Sequence, residues 1–185
     1  MKMSLKKKNG GYTLVELIVV IAIMVVLAGG SVVAFASLRN YRAKTAKDQI
    51  CNNLKEARTE AMAKKTEWMQ ICKDSDGLKI KTSYRSAGDT MLSGNIHVSY
   101  TEKGSSTEIE IDSSHSLILT YARVSGAFEG IKTSTTPDAN GKLPNQMNGS
   151  AVVYCEKIHI ENGARTKGYT ITLNQETGKF VCKED

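Results

Sequence analysis

Lys8-Asn9-Gly10-Gly11-Tyr12-Thr13-Leu14-Val15-Glu16-Leu17 opens an apolar run that continues to Ala36. Within the run only Gly29, Gly30 and Ser31 are not strongly apolar. About 20 such residues span a bilayer as a helix. Residues 1–11 are short, basic and polar, with lysines at positions 2, 6, 7 and 8. Lysines stay on the cytoplasmic side, so the C-terminal part of the chain faces outward. Glu16 is the misfit. A carboxylate at membrane depth costs about 2.5–3.5 kcal/mol on insertion scales, so it needs a partner and a job.

Three readings compete for this segment. An ordinary signal peptide is one, and Ala34-Phe35-Ala36 supplies a small-residue cleavage site before Ser37. The run, however, exceeds the roughly 7–15 residues of a signal-peptide core. A plain membrane anchor accounts for the length but not for Glu16. Cleavage after Gly11 accounts for both. It creates an α-amino group on Tyr12, four residues from Glu16, and that amine can neutralise its own or a neighbour's carboxylate. In a helical array of subunits, pairing between neighbours sets the axial register. A misplaced subunit would leave a charge unpaired in apolar surroundings.

The segment Lys8 to Leu17 resembles the processing motif of type IV pilins and pseudopilins: a basic leader ending in Gly, an aromatic next, and Glu as the fifth mature residue. The resemblance implies cleavage by prepilin peptidase between Gly11 and Tyr12, N-methylation of Tyr12, an assembly role for Glu16, and a hydrophobic helix kept as filament core. Tyr12 stands where that family usually has Phe, which keeps the ring.

The net charge of +6 invites a nucleic-acid or membrane-surface partner. Position weakens the invitation. Without residues 1–11, 21 basic residues face 19 acidic ones, a net of +2. Most of the excess charge belongs to the leader.

Beyond Ala36 the helical pattern continues, with no Pro or Gly in residues 37–68. Ala43, Ala46, Ile50, Leu54, Ala57, Ala61 and Trp68 form one stripe at helical spacing, and charged residues occupy the other face. One long helix is expected from Tyr12 to about Glu67, apolar all round in its first half and amphipathic in its second. Gly29 and Gly30 are its weak point, since glycine costs roughly 1 kcal/mol relative to Ala inside a helix. They let it bend or allow close packing. From Met69 onward, short β-prone runs alternate with turn residues, beginning with a hairpin at Asp74-Ser75-Asp76-Gly77. The expected fold is α+β: a long N-terminal helix packed on a C-terminal antiparallel sheet. The chain divides into a leader (1–11), a transmembrane and filament-core helix (12–38) and an exported domain (39–185), the last with helix 39–67 and sheet 68–185.

Leu54-Lys55-Glu56-Ala57-Arg58-Thr59-Glu60-Ala61 resembles the helix-end pattern of GspH/FimT-type minor pilins and pseudopilins. Gly168–Leu173 followed by Thr177-Gly178-Lys179 resembles that group's closing hairpin. Good helix-forming sequence alone would also explain the first stretch.

Cys51, Cys72, Cys155 and Cys182 all fall in the exported part, so two disulfides and three connectivities are open. If the first strand folds straight back, Cys72 rises about 13 Å. Cys51 lies about 24 Å up the helix. The pair misses by roughly 10 Å, beyond the about 7 Å limit between Cα atoms. Cys155 and Cys182 can pair only if their strands are not separated by Tyr169–Leu173, as a meander would require. No connectivity follows.

No spacing for a metal, nucleotide or cofactor is present, and no catalytic constellation can be located. The resemblance of Lys8–Leu17 implies a structural role: a major or minor subunit of a type IV pilus-like filament. Its expected partners are other pilin subunits, prepilin peptidase, an inner-membrane assembly platform, and membrane lipid before assembly. It would lie in the cytoplasmic membrane with its C-terminus outside, then in a pilus or pseudopilus. Two alternatives stand beside it. One is a type II secretion pseudopilin. The other is a DNA-uptake minor pilin whose Lys79, Lys81, Arg85, Lys132, Lys142, Arg165, Lys167 and Lys179 bind nucleic acid; these are dispersed, and a solvated face is the blander reading.

Overall fold

The computed structural model describes residues 12–63, 68–83, 89–92 and 94–185, without the side chains of residues 30–34. Among the described residues one helix, α1 (Leu14–Ala63), precedes the strands. These are β1 (Trp68–Asp74), β2 (Gly77–Thr82), β3 (Thr90–Met91), β4 (Ile96–Glu102), β5 (Glu108–Glu110) and β6 (Leu117–Tyr121). Then come β7 (Phe128–Lys132), β8 (Met147–Asn148), β9 (Ala151–Val152), β10 (Cys155–Asn162), β11 (Gly168–Leu173) and β12 (Phe180–Glu184). The chain falls into two compact units, Met1–Leu38 and Arg39–Asp185.

In the second unit the helical stripe is the core face. Ala43, Ala46, Ile50, Leu54, Ala57 and Ala61 are all fully buried. Most are alanines, and short side chains let a helix axis approach its neighbours closely. Trp68, expected on the same stripe, instead begins β1 and is half-buried. The helix is described to Ala63, and the expected end at Glu67 lies outside the described residues.

The expected single sheet is two. β3-β2-β1-β6-β7 make one antiparallel sheet and β12-β11-β10-β4-β5 another, with β8-β9 as a small ribbon. The division arises because β4 pairs with β10, more than 50 residues later, rather than with β3. The chain then returns to place β6 beside β1. One apolar cluster joins α1 residues such as Ile50 and Leu54 to inward residues of both sheets, among them Ile71, Leu119, Ile158 and Ile171. Two sheets supply two apolar faces for one helix, more burial than one twisted sheet of these short strands could give.

Local turn chemistry matches the residues. Asp74 and Gly77 pair across the β1–β2 hairpin. Asp74 Oδ1 accepts from the Asp76 backbone N–H at 3.0 Å, and Gly77 takes a φ of 121°. The β10-β11-β12 end is a meander. Across its inner face Tyr100, Ile158, Ile171 and Cys182 stand in one row, and Val98, Ile160, Tyr169 and Glu184 in the next. The β11–β12 turn touches the β6–β7 connection. The Phe128 N–H donates to Gln175 O at 3.0 Å. Gly178, at φ 62°, comes so near Gly126 that an added Cβ would sit 1.6 Å from the Gly126 carbonyl oxygen.

Candidate processing and assembly site

Thr13 starts the helix. Its carbonyl accepts the first helical bond, from the Leu17 N–H at 3.2 Å. Its side-chain Oγ1 accepts from the Glu16 backbone N–H at 3.2 Å. Glu16 reaches back in return: its Oε2 accepts from the Thr13 N–H at 2.8 Å and from the Thr13 hydroxyl at 2.9 Å. This reciprocal arrangement is a capping box, which satisfies otherwise unpaired donors at a helix start. The Thr-x-x-Glu spacing before an apolar run is its sequence signature, and sequence reasoning passed over Thr13 in favour of the carboxylate alone. A carboxylate in the first turn also complements the positive end of the helix dipole. Glu16 thus has a local role even before any partner arrives.

Tyr12 precedes the cap and is 89% exposed. Gly11, the other half of the expected cleavage junction, lies outside the described residues, as do Lys2, Lys6, Lys7 and Lys8. Beyond Glu16 the helix surface is apolar on every side. Each large apolar side chain from Leu14 to Leu27 is 47–74% exposed. A helix that is hydrophobic all round belongs inside lipid or among other helices. Gly29 meets nothing within 4 Å, so in the single chain no packing contact requires a glycine there; Gly30 lies among residues whose side chains are not described. Among the described residues no helix is long and apolar enough to cross a membrane.

Several polar groups of the Arg39–Asp185 unit pair with one another. On the outer face of the second sheet, His97 Nδ1 lies 2.7 Å from Glu110 Oε1, and Arg165 donates to Glu110 Oε2 at 2.8 Å. The His97 hydrogen bond, followed by Arg165, holds the Glu110 carboxyl below its ordinary value despite slight desolvation. Asp112 caps its own loop, accepting from the Ser114 hydroxyl at 2.7 Å and from the Ser114 and His115 N–H groups at 2.8 Å. Its carboxyl is held far below the usual range, chiefly by the Ser114 bonds.

The eight residues considered for nucleic acid fare unevenly. Lys79 pairs with Asp74 and Asp89. Lys132 is buried and pairs with Glu129 and Asn145. Arg165 pairs with Glu110 and Glu161, and Lys167 with Glu184. Arg85 lies outside the described residues. Among the described residues no group of side chains could hold a metal ion.

Compared with known protein families, residues 6–32 match the model of the prokaryotic N-terminal methylation motif. No curated protein and no solved structure matches the chain. The matched residues enclose Gly11, Tyr12, the Thr13–Glu16 cap and most of the exposed apolar surface.

Proposed function

We propose that this type IV pilin-like prepilin is a non-catalytic filament subunit whose N-terminal helix is its assembly element. Prepilin peptidase cleaves it between Gly11 and Tyr12, and Tyr12 is N-methylated. The segment 12–38 anchors the precursor in the cytoplasmic membrane with residues 39–185 outside. An inner-membrane assembly platform then moves it from lipid into a filament with other pilin subunits. The observation that carries this reading is the apolar helix surface, exposed on every side and opened by a capped carboxylate. Lipid covers that surface before assembly, and neighbouring helices cover it afterwards.

Glu16 serves twice in this scheme. Oε2 holds the cap, and the carboxylate's charge pairs with the Tyr12 amine of a neighbouring subunit. Thr13 and Glu16 variants separate the two duties. Glu16→Gln keeps a residue that can close a capping box but removes the charge. Thr13→Ala removes the cap and keeps the charge. If charge pairing sets the register, Glu16→Gln abolishes filament assembly while Thr13→Ala still assembles. Assembly by Glu16→Gln at normal levels would sink the pairing role. Mass spectrometry of the mature N-terminus tests the processing itself: N-methyl-Tyr12 is expected, and a start at Ser37 would overturn it.

A minor-subunit role of the GspH/FimT type is our preferred finer reading. Its support is the Leu54–Ala61 stretch, where Leu54, Ala57 and Ala61 are buried and Arg58 Nε donates to the Gly126 carbonyl at 3.3 Å. That bond ties the helix end to the loop that also meets Gly178 in the closing hairpin. Scarcity in purified filaments is the expected outcome, and dominance there would make the chain a major pilin. The DNA-binding alternative is weaker, because Lys79, Lys132, Arg165 and Lys167 already neutralise carboxylates.

A further inference from the structure

Lys47 and Cys51 stand one helical turn apart on α1. Lys47 Nζ lies 5.5 Å from the centre of the Tyr169 ring, and Tyr169 sits directly opposite Glu184 on β12. Four residues along a helix advance about 6 Å. Two residues along a strand, from Glu184 back to Cys182, advance about 6.6 Å. The steps match, so a helix with Lys47 over the Tyr169–Glu184 pair carries Cys51 over Cys182. The contacts agree with that register. The two thiols are close enough to influence each other's ionisation. Cys182 packs against the buried cluster that contains Cys51, and the Lys47 ammonium lies near both sulfurs.

The other two cysteines are elsewhere. Cys72 alternates along β1 with the buried Met69 and Ile71, so it faces away from the helix. Cys155 is buried on β10, and β11 lies between it and β12. Two strand spacings, about 9.6 Å, part it from Cys182, which exceeds the reach of a disulfide.

We propose that Cys51 and Cys182, both thiols in this structure, are a disulfide site that staples the edge strand β12 to helix α1 once the domain is exported. The oxidant is an external disulfide, either glutathione disulfide or the cysteine pair of an exported oxidoreductase. Cys182 is half-buried and is the point of entry. Its thiolate attacks one sulfur of the external disulfide, forming a mixed disulfide and expelling one thiolate. Cys51 loses its proton to solvent, and its thiolate attacks Cys182 Sγ. The Cys51–Cys182 bond forms and the second external thiolate leaves. The two protein thiols give up two electrons and two protons, and the external disulfide becomes two thiols. Burial, and then the Cys182 thiol beside it, push the Cys51 thiol up to about 12, with Lys47 opposing. Burial still disfavours the Cys51 thiolate in the mixed disulfide, so the second step accelerates with rising pH.

The staple has a physical purpose. β12 has a neighbour on one side only, and Val181 and Lys183 point to solvent. An unpaired edge is free to fray or to pair with another chain. Joining positions 131 residues apart removes much of the freedom of the unfolded chain.

The test uses the full-length protein in detergent micelles, incubated with glutathione disulfide, quenched in acid, alkylated under denaturing conditions and digested with trypsin without reduction. Each cysteine falls in a different peptide. The expected product links residues 48–55 to residues 180–183, with Cys72 and Cys155 alkylated. The oxidised protein melts higher than the reduced one by on the order of 10 °C. In Cys182→Ser, which alters a half-exposed position, both the link and the redox-dependent shift vanish. Three outcomes would overturn the assignment: a link from Cys51 to Cys72 or Cys155, a dimer joined through Cys182, or full alkylation of Cys51 and Cys182 after oxidation. The readout does not depend on cleavage at Gly11, so it stands apart from the filament reading.

Discussion

Single residues carry two constraints that no neighbouring sequence announces. Gly178 combines a left-handed φ with a carbonyl where its Cβ would be. Gly178→Ala is expected to destabilise the Arg39–Asp185 unit by about 2 kcal/mol or more, read as a fall in denaturation midpoint. Gly178→Asn separates the causes. Asn tolerates positive φ but still brings a Cβ against Gly126, so it should be nearly as harmful; full stability in this variant would mean that backbone strain alone mattered. Gly77 is the contrast, with φ 121° and open space around it. Its Ala variant meets strain without a clash and should cost about 1–2 kcal/mol. Asn162 is the second constrained residue. It is buried, donates to Asn40 Oδ1 at 2.7 Å, and accepts from the N–H groups of Ala164 and Thr166 at 3.2 and 3.0 Å. Asn162→Leu leaves these partners unsatisfied and is expected to cost about 1–3 kcal/mol.

Among the elements, the β4–β5 pairing carries a pH-sensitive contact. Ser99 and Glu110 face each other across it, and Glu110 is tied to His97 and to Arg165 in the β10–β11 turn. The folded carboxyl titrates below its ordinary value of 4.5, mainly because of the His97 bond. Its contribution is therefore complete above that value and is lost as pH falls from about 4.5 through the lowered folded pKa. These side chains are well exposed, so the effect on global stability is small. Amide exchange along β5, corrected for its intrinsic pH dependence, should rise below about pH 4 in the native protein. Glu110→Gln should remove that acid-dependent rise, and an unchanged rise would show that other groups drive it. At the other end of the chain, the helix start owes its order to the Thr13–Glu16 cap. Thr13→Ala is expected to weaken the first turn by about 1 kcal/mol, read as loss of protection at the amides of residues 14–16.

For the molecule as a whole, the described apolar core cluster draws only on residues from Ala46 onward. A chain starting at Arg39 should therefore fold alone, stay monomeric without detergent, and melt within a few degrees of the full-length protein. A molten or aggregated product would mean that residues 12–38 contribute to folding. The full chain carries the exposed apolar helix surface and should require detergent or lipid. Under the proposed filament role that helix pairs with others, so assembly assays belong to the full chain and stability assays to the shorter one.

What the sequence determined by itself was local. The apolar run and its misfit carboxylate could be read directly, because both lie in contiguous residues. The buried stripe Ala43–Ala61 and the Asp74–Gly77 hairpin were equally legible, because helical period and turn chemistry act over a few positions. The Thr13 cap was legible too, in the Thr-x-x-Glu spacing, but the charge of Glu16 drew the reading elsewhere. Trp68 was misassigned because its spacing continued the stripe after the helix had given way to a strand. Only the tertiary structure decided that β4 would pair with β10, that two sheets rather than one would cover the helix, that Gly178 would touch Gly126, and that Cys182 would pack against the core cluster that holds Cys51. These depend on which strands become neighbours, a choice made by burial summed over the whole core and written in no single stretch of chain.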